Sequence, residues 1–239
     1  MSYPYYKRLF NSMPVPIRLA LMRSLSSARL NQLQNLRTSI VNGYSLKESD
    51  ELGALFIHVP KNGGTSINRA LFDSHGAGHI AFHALELIYS ADELNSLFKF
   101  SVVRNPWSRL YSSYTYLKKG GGNDFDKRWA DENLAEVDSF RDFVLEWLEE
   151  ERTMSFVHFV PQHFYILDGR GRNRLDYLAR FERLNEGFEH ITKTLSIDRS
   201  LDHLNKSVHT DYREAYDPEM IAKVARVYAK DISEFDYSF

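Results

Sequence analysis

Lys61, Asn62, Gly63, Gly64, Thr65 and Ser66 follow one another in the segment FIHVPKNGGTSIN (56–68). One cation, two flexible backbone positions and two hydroxyls in that order suit the binding of an anion. Gly63 and Gly64 permit a tight turn in which successive backbone N–H groups face a single ligand. The apolar run Phe56, Ile57 and Val59 reads as a short buried strand that Pro60 ends, and Thr65 or Ser66 then opens a helix. A helix N-terminus offers unpaired N–H donors and about half a positive charge, to which Lys61 adds a full one. Taken alone, the segment also fits a plain strand-to-helix turn with an incidental lysine.

A second segment of the same type is FKFSVVRNPWSRLYSSY (98–114). Phe98, Phe100, Val102 and Val103 supply a strand. Asn105 suits an N-cap, and Pro106 suits the first helical position, where a missing N–H costs nothing. Arg104 stands at the strand's carboxyl end, and Ser108 and Ser112, four apart, share a helical face directed back toward it. The planar fork of an arginine beside a hydroxyl suits a phosphate. A surface ion pair for Arg104, with exposed serines, is the alternative. Two anion sites at two strand ends imply a ligand with two separated phosphate groups.

Together HVPKNGGTS and VVRNPWSRLYSSY resemble the cofactor loops of sulfotransferases that use 3'-phosphoadenosine 5'-phosphosulfate (PAPS), most closely the family-2 carbohydrate O-sulfotransferases. The resemblance implies an α/β, P-loop-like fold with a central parallel β-sheet flanked by helices. It implies that Lys61, Asn62, Gly63, Gly64, Thr65 and Ser66 hold the 5'-phosphosulfate, and that Arg104 and Ser112 hold the 3'-phosphate. Lys206 and Ser207, in HLNKS, would close over the cofactor. Gln162 in VPQHFYI, Phe181, Glu182 and Leu184 in ARFERLNEGF, and Tyr212, Tyr216, Tyr228, Asp231 and Tyr237 also follow the family's spacing, so the likeness runs from Leu55 to Phe239.

A nucleoside triphosphatase would carry its lysine after the last glycine of its phosphate loop, with an acidic residue on a separate strand for magnesium. Here the lysine precedes both glycines, which disfavours an ATP-dependent small-molecule kinase. No metal is expected: the nine histidines do not cluster at zinc spacing, and the chain has no cysteine. An acceptor hydroxyl attacking sulfur must lose a proton, and the resemblance places the base at His83, between the two loops in AFHALELI. His79 is the rival; if this stretch is helical, the two histidines share a face. Lys61 and the helix after it would neutralise the departing phosphate. His58, His158 and His163 read as structural or substrate-contacting residues.

The remaining elements must position these residues. With 239 residues and 43% hydrophobic content the chain can bury a substantial core. Its net charge of -2 hides an asymmetry, because the stretch from Met1 to Lys47 has basic residues and no acidic one. Residues 1–48 therefore read as a basic amphipathic helical arm, with Ile17, Leu21, Leu25, Ala28, Leu33, Leu36 and Ile40 at helical spacing, ahead of a sulfotransferase domain over 49–239. The arm suits packing on the domain, a homodimer contact, a peripheral membrane contact or a cleaved transit peptide. No apolar run of spanning length and no convincing secretory signal occur, so a cytoplasmic enzyme is expected, peripheral at the membrane if the arm binds there. A carbohydrate or glycolipid acceptor is the expected partner, and no nucleic acid.

Other elements are legible in outline. Ala91 to Leu97 reads as a short helix and Leu175 to Phe181 as a strand. SFRDFVLEWLEEE (139–151) reads as one amphipathic helix, KKGGGND (118–124) as a mobile loop, and Asp217 with Pro218 as the start of a last helix. Strands alternating with helices argue for a parallel sheet with sites at strand carboxyl ends. A non-catalytic polyanion or membrane adaptor is the reading outside enzyme chemistry.

Overall fold

The computed structural model describes residues 17, 27–41, 43–201 and 211–239. In chain order its elements include α1 (Ser27–Asn35), α2 (Lys47–Leu52), β1 (Ala54–Ile57), α3 (Gly64–Phe72), α4 (Phe82–Leu85), α5 (Ala91–Ser96) and β2 (Phe98–Val103). There follow α6 (Pro106–Lys118), α7 (Asp124–Asn133), α8 (Phe140–Asp142), α9 (Glu150–Thr153), α10 (Gln162–Ile166), β3 (Tyr177–Arg180), α11 (Leu184–Thr194), α12 (Pro218–Val227) and α13 (Ala229–Phe235). The fold is α/β, and the chain divides into two compact units, each with a cluster of buried apolar side chains.

The first unit comprises the described residues up to Val102 and 164–201. Its sheet has the order β1-β2-β3, with β1 and β2 parallel and Ile57 opposite Ser101. All four residues of β1 are buried, as a strand covered on both faces requires. Ile67, Leu71 and Phe72 of α3 and Phe188 and Ile191 of α11 repeat at helical spacing and pack with Phe56, Phe100, Val102 and Ala179. Gly187 lets α11 approach β3 closely, since a Cβ there would lie 2.7 Å from that of Ala179.

The described end of the N-terminal arm belongs to this unit. Leu36 and Leu46 are buried. Arg37 reaches Asp50 and Glu93, each at 2.9 Å, and lies 4.1 Å over the Tyr89 ring. The expected helix stops at Asn35 and leaves Ile40 exposed; Leu21 and Leu25 lie outside the described residues.

The second unit comprises Val103–His163 and 211–239. As its sequence predicts, α6 is capped by the Asn105 side chain, with Pro106 in its first turn. Trp107, Leu110, Tyr114 and Leu117 form its inner face, against Phe143, Phe159, Met220 and Val224. Asp217 caps α12 as expected, but that helix breaks at Tyr228 and a further one, α13, follows.

Two expectations are corrected here. The stretch 139–151 is not one α-helix: α8 runs into a π-helical turn over Phe143–Trp147, and the Leu148 N–H donates to the Phe143 carbonyl at 2.9 Å. Phe143, Val144, Trp147 and Leu148 are all buried around this turn. The glycine-rich loop is pinned. The Asp126 carboxylate accepts from the Tyr116 hydroxyl (2.7 Å), the Gly122 N–H (3.1 Å) and Asn123 Nδ2 (3.2 Å), and lies 3.2 Å from His158 Nε2. Gly121 (φ 69°) approaches so closely that a Cβ would lie 2.2 Å from that of Asp126.

Burial alone would raise the Asp126 carboxyl, but hydrogen bonds from His158, Tyr116 and Gly122 outweigh it and hold the group at about 2. Because this lies below its ordinary value, Asp126 contributes stability near neutrality that is lost as pH falls from about 4 through about 2. Urea unfolding should show Asp126→Asn less stable at pH 7 by about 1–3 kcal/mol, with the gap from wild type narrowing toward pH 2.

Candidate active site

The first loop is shaped by backbone handedness. Lys61 has φ 68° and Gly63 φ 79°, while Asn62 between them is not left-handed. Alternation of this kind turns successive N–H groups into one concavity that suits an anion. Gly63 caps α3, which opens at Gly64, one residue before the Thr65 or Ser66 start read from sequence. Thr65 is exposed, and Lys61 and Ser66 are half-buried.

Asn62 points away from solvent. It is 1% exposed, and its Nδ2 donates to the Val102 carbonyl at 2.7 Å, so its side chain ties the loop to the end of β2. The Ser101 hydroxyl donates to the Ile57 carbonyl at 2.6 Å, joining the same two strand ends. Phe181 and Leu184 pack under Gly63, where a Cβ would lie 2.8 Å from Leu184 Cδ2. The motif ARFERLNEGF thus supports the loop from below.

Gly64 is required by His58. A Cβ on Gly64 would lie 2.0 Å from His58 Cδ2. Asn68 Nδ2 donates to the His75 carbonyl at 2.9 Å and lies 3.3 Å from His58 Nδ1, which therefore accepts and leaves the ring proton on Nε2. His58 is stacked on Phe56.

His79 lies against His58. Its ring centroid is 4.3 Å from that of His58, and its Nδ1 is 3.1 Å from the His58 carbonyl. A carbonyl only accepts, so Nδ1 carries the proton. His83, half-buried on α4, meets Phe164 edge to face at 5.0 Å. The two histidines do not share a helical face, because α4 begins only at Phe82 and His79 precedes it.

In the second unit Arg104 follows β2 directly and is 6% exposed. Its Nε donates to Ser108 Oγ at 2.9 Å. Ser108, whose offset of four signals this contact, is the hydroxyl that meets the guanidinium, and Ser112 is half-buried one turn further on. The Gln162 amide brackets Arg104, accepting from its N–H at 2.9 Å and donating to its carbonyl at 2.8 Å. His163 Nδ1 lies 2.6 Å from Asp231, and His158 belongs to the Asp126 cluster. Lys206 and Ser207 lie outside the described residues. Among the described residues no group of three or more His, Asp or Glu is placed to hold a metal ion, and no helix is long and apolar enough to cross a membrane.

A strand, a left-handed turn and a helix start, and a second strand with an arginine after its carboxyl end, are the local elements on which the family comparison bears. The sequence model of the sulfotransferase family matches residues 46–238, and the chain belongs to that family. No curated protein matches the chain significantly. The match supports sulfuryl transfer from a sulfate donor to an acceptor.

Gly64→Ala should cost about 1–3 kcal/mol in urea unfolding, because the new methyl overlaps one packed ring. If that ring is the obstacle, His58→Ala introduced beside Gly64→Ala recovers part of the loss, with a coupling of about 0.5–3 kcal/mol.

Proposed function

We propose that this enzyme moves the sulfuryl group of PAPS to a hydroxyl of a carbohydrate or glycolipid acceptor by in-line displacement. The observation that carries the reading is the left-handed backbone at Lys61 and Gly63 ahead of α3, in a chain of the sulfotransferase family. In the transfer, a bond forms from the acceptor oxygen to sulfur while the bond from sulfur to the bridging phosphate oxygen breaks. The electron pair leaves with 3',5'-bisphosphoadenosine, and the acceptor proton passes to a histidine. Lys61 and the N–H groups of Gly64 and Thr65, at the start of the helix, offset charge growing on the departing oxygen. Arg104, fixed by Ser108, takes the 3'-phosphate with Ser112. Lys206 and Ser207 keep the closing role that the family resemblance implies.

By position in the family the base is His83. His79, whose Nδ1 lies 3.1 Å from the His58 carbonyl, is the rival.

The basic arm is the segment proposed to meet an anionic membrane or a second copy of the chain, on its charge pattern alone. The ATP-dependent kinase and the inert adaptor make different predictions about ligands.

Purified protein should be stabilised by 3',5'-bisphosphoadenosine without magnesium, by about 2.7 kcal/mol at a hundredfold excess over Kd. Stabilisation by ATP with magnesium alone would instead identify a kinase, and stabilisation by neither an adaptor. With labelled PAPS and glycan or lipid extracts, His83→Ala should lower kcat about 10²–10⁴-fold with donor affinity retained. A loss of that size confined to His79→Ala moves the base to His79. Arg104→Ala should chiefly raise the Kd for the nucleotide.

A further inference from the structure

Arg104 follows β2 directly, and a side chain bonds its backbone on both sides. Gln162 is fully buried, and its amide makes both bonds that a neighbouring strand would make: Oε1 accepts from the Arg104 N–H at 2.9 Å and Nε2 donates to the Arg104 carbonyl at 2.8 Å. Gln162 is itself held by a buried carboxylate. Asp231, 0% exposed on α13, accepts from the Gln162 N–H at 2.7 Å through Oδ2 and from the His163 N–H at 2.9 Å through Oδ1, while His163 Nδ1 lies 2.6 Å from Oδ1. Satisfying both N–H groups fixes the start of α10, and with it the origin of the Gln162 side chain. On the other side of Arg104, Asn105 Nδ2 donates to the Ser238 carbonyl at 2.7 Å.

We infer that Gln162 and Asp231 are positioning residues that set affinity for the 3'-phosphate by fixing the backbone from which Arg104 projects. The inference rests on the proposed reading of Arg104 as the 3'-phosphate ligand. A buried amide with both functions engaged tolerates few replacements, because leaving the Arg104 N–H or carbonyl unsatisfied is costly. An arginine binds an oxyanion well only within a narrow range of angle, so freedom at its Cα becomes lost affinity even when its own chain is intact.

The test compares two nucleotides that differ only in the 3'-phosphate. Calorimetric Kd values for 3',5'-bisphosphoadenosine and adenosine 5'-phosphate are measured on wild type, Arg104→Ala, Gln162→Met and Asp231→Asn, with melting temperatures taken in parallel. Wild type is expected to prefer the bisphosphate, and Gln162→Met to lose at least tenfold of that preference with adenosine 5'-phosphate binding unchanged. Asp231→Asn is expected to lose a smaller part. Equal weakening of both nucleotides, or an unaltered preference in Gln162→Met, overturns the positioning role and leaves the reading of Arg104 standing. A wild-type protein without preference, unaffected by Arg104→Ala, overturns both. If Gln162→Met does not fold, Gln162→Glu, which keeps an oxygen for the Arg104 N–H, replaces it and is judged by the same ratio.

Discussion

A cup of backbone N–H groups binds an anion well only if it is held open before the anion arrives, and most of the first unit's loop chemistry serves that requirement. Lys61 adopts a left-handed conformation that costs about 1–2 kcal/mol for a residue with a Cβ. Such strain persists where the surroundings over-determine it. Asn62 is bonded to the end of β2, Gly63 is packed on Phe181 and Leu184, and the His58 ring fills the space beside Gly64. Each constraint comes from a different part of the chain, so packing within the unit sets the shape of the loop.

The second unit solves a related problem with side chains. Arg104 is nearly buried, and a buried cation needs its geometry fixed and its hydrogen bonds made. Ser108 orients the guanidinium from within α6, while Gln162 secures the backbone. The aromatic core around Phe143, Trp147 and Phe159 gives α6 its seat. The carboxylate of Asp126 performs a similar service for the glycine loop, where four donors converge on a single side chain.

Histidine is where type and position diverge most. His58, His79 and His83 lie close in sequence, yet their rings make different contacts. His58 Nδ1 accepts from Asn68, whereas His79 Nδ1 donates to the His58 carbonyl, so the two rings have opposite tautomers. Spacing alone does not distinguish them, because the short helix that would have put His79 and His83 on one face starts only at Phe82.

Local signals carried the two strand-loop-helix units. Pro106 and Pro218 at first helical positions, Asn105 and Asp217 as caps and the glycine pair at 63–64 each act through neighbours within a few residues, so their meaning is contained in the sequence. The family motifs are legible for the same reason. What only the tertiary structure decided are pairings between distant positions: Asn62 with Val102, Gln162 with Arg104, Asp231 with Gln162 and His58 beneath Gly64. It also decided the mid-helix change to π geometry and the pinning of a loop whose glycines suggested freedom. Propensity describes a residue and its near neighbours. A buried amide or carboxylate acquires its role from whichever backbone groups the fold leaves without a partner, and that inventory exists only once the chain is packed.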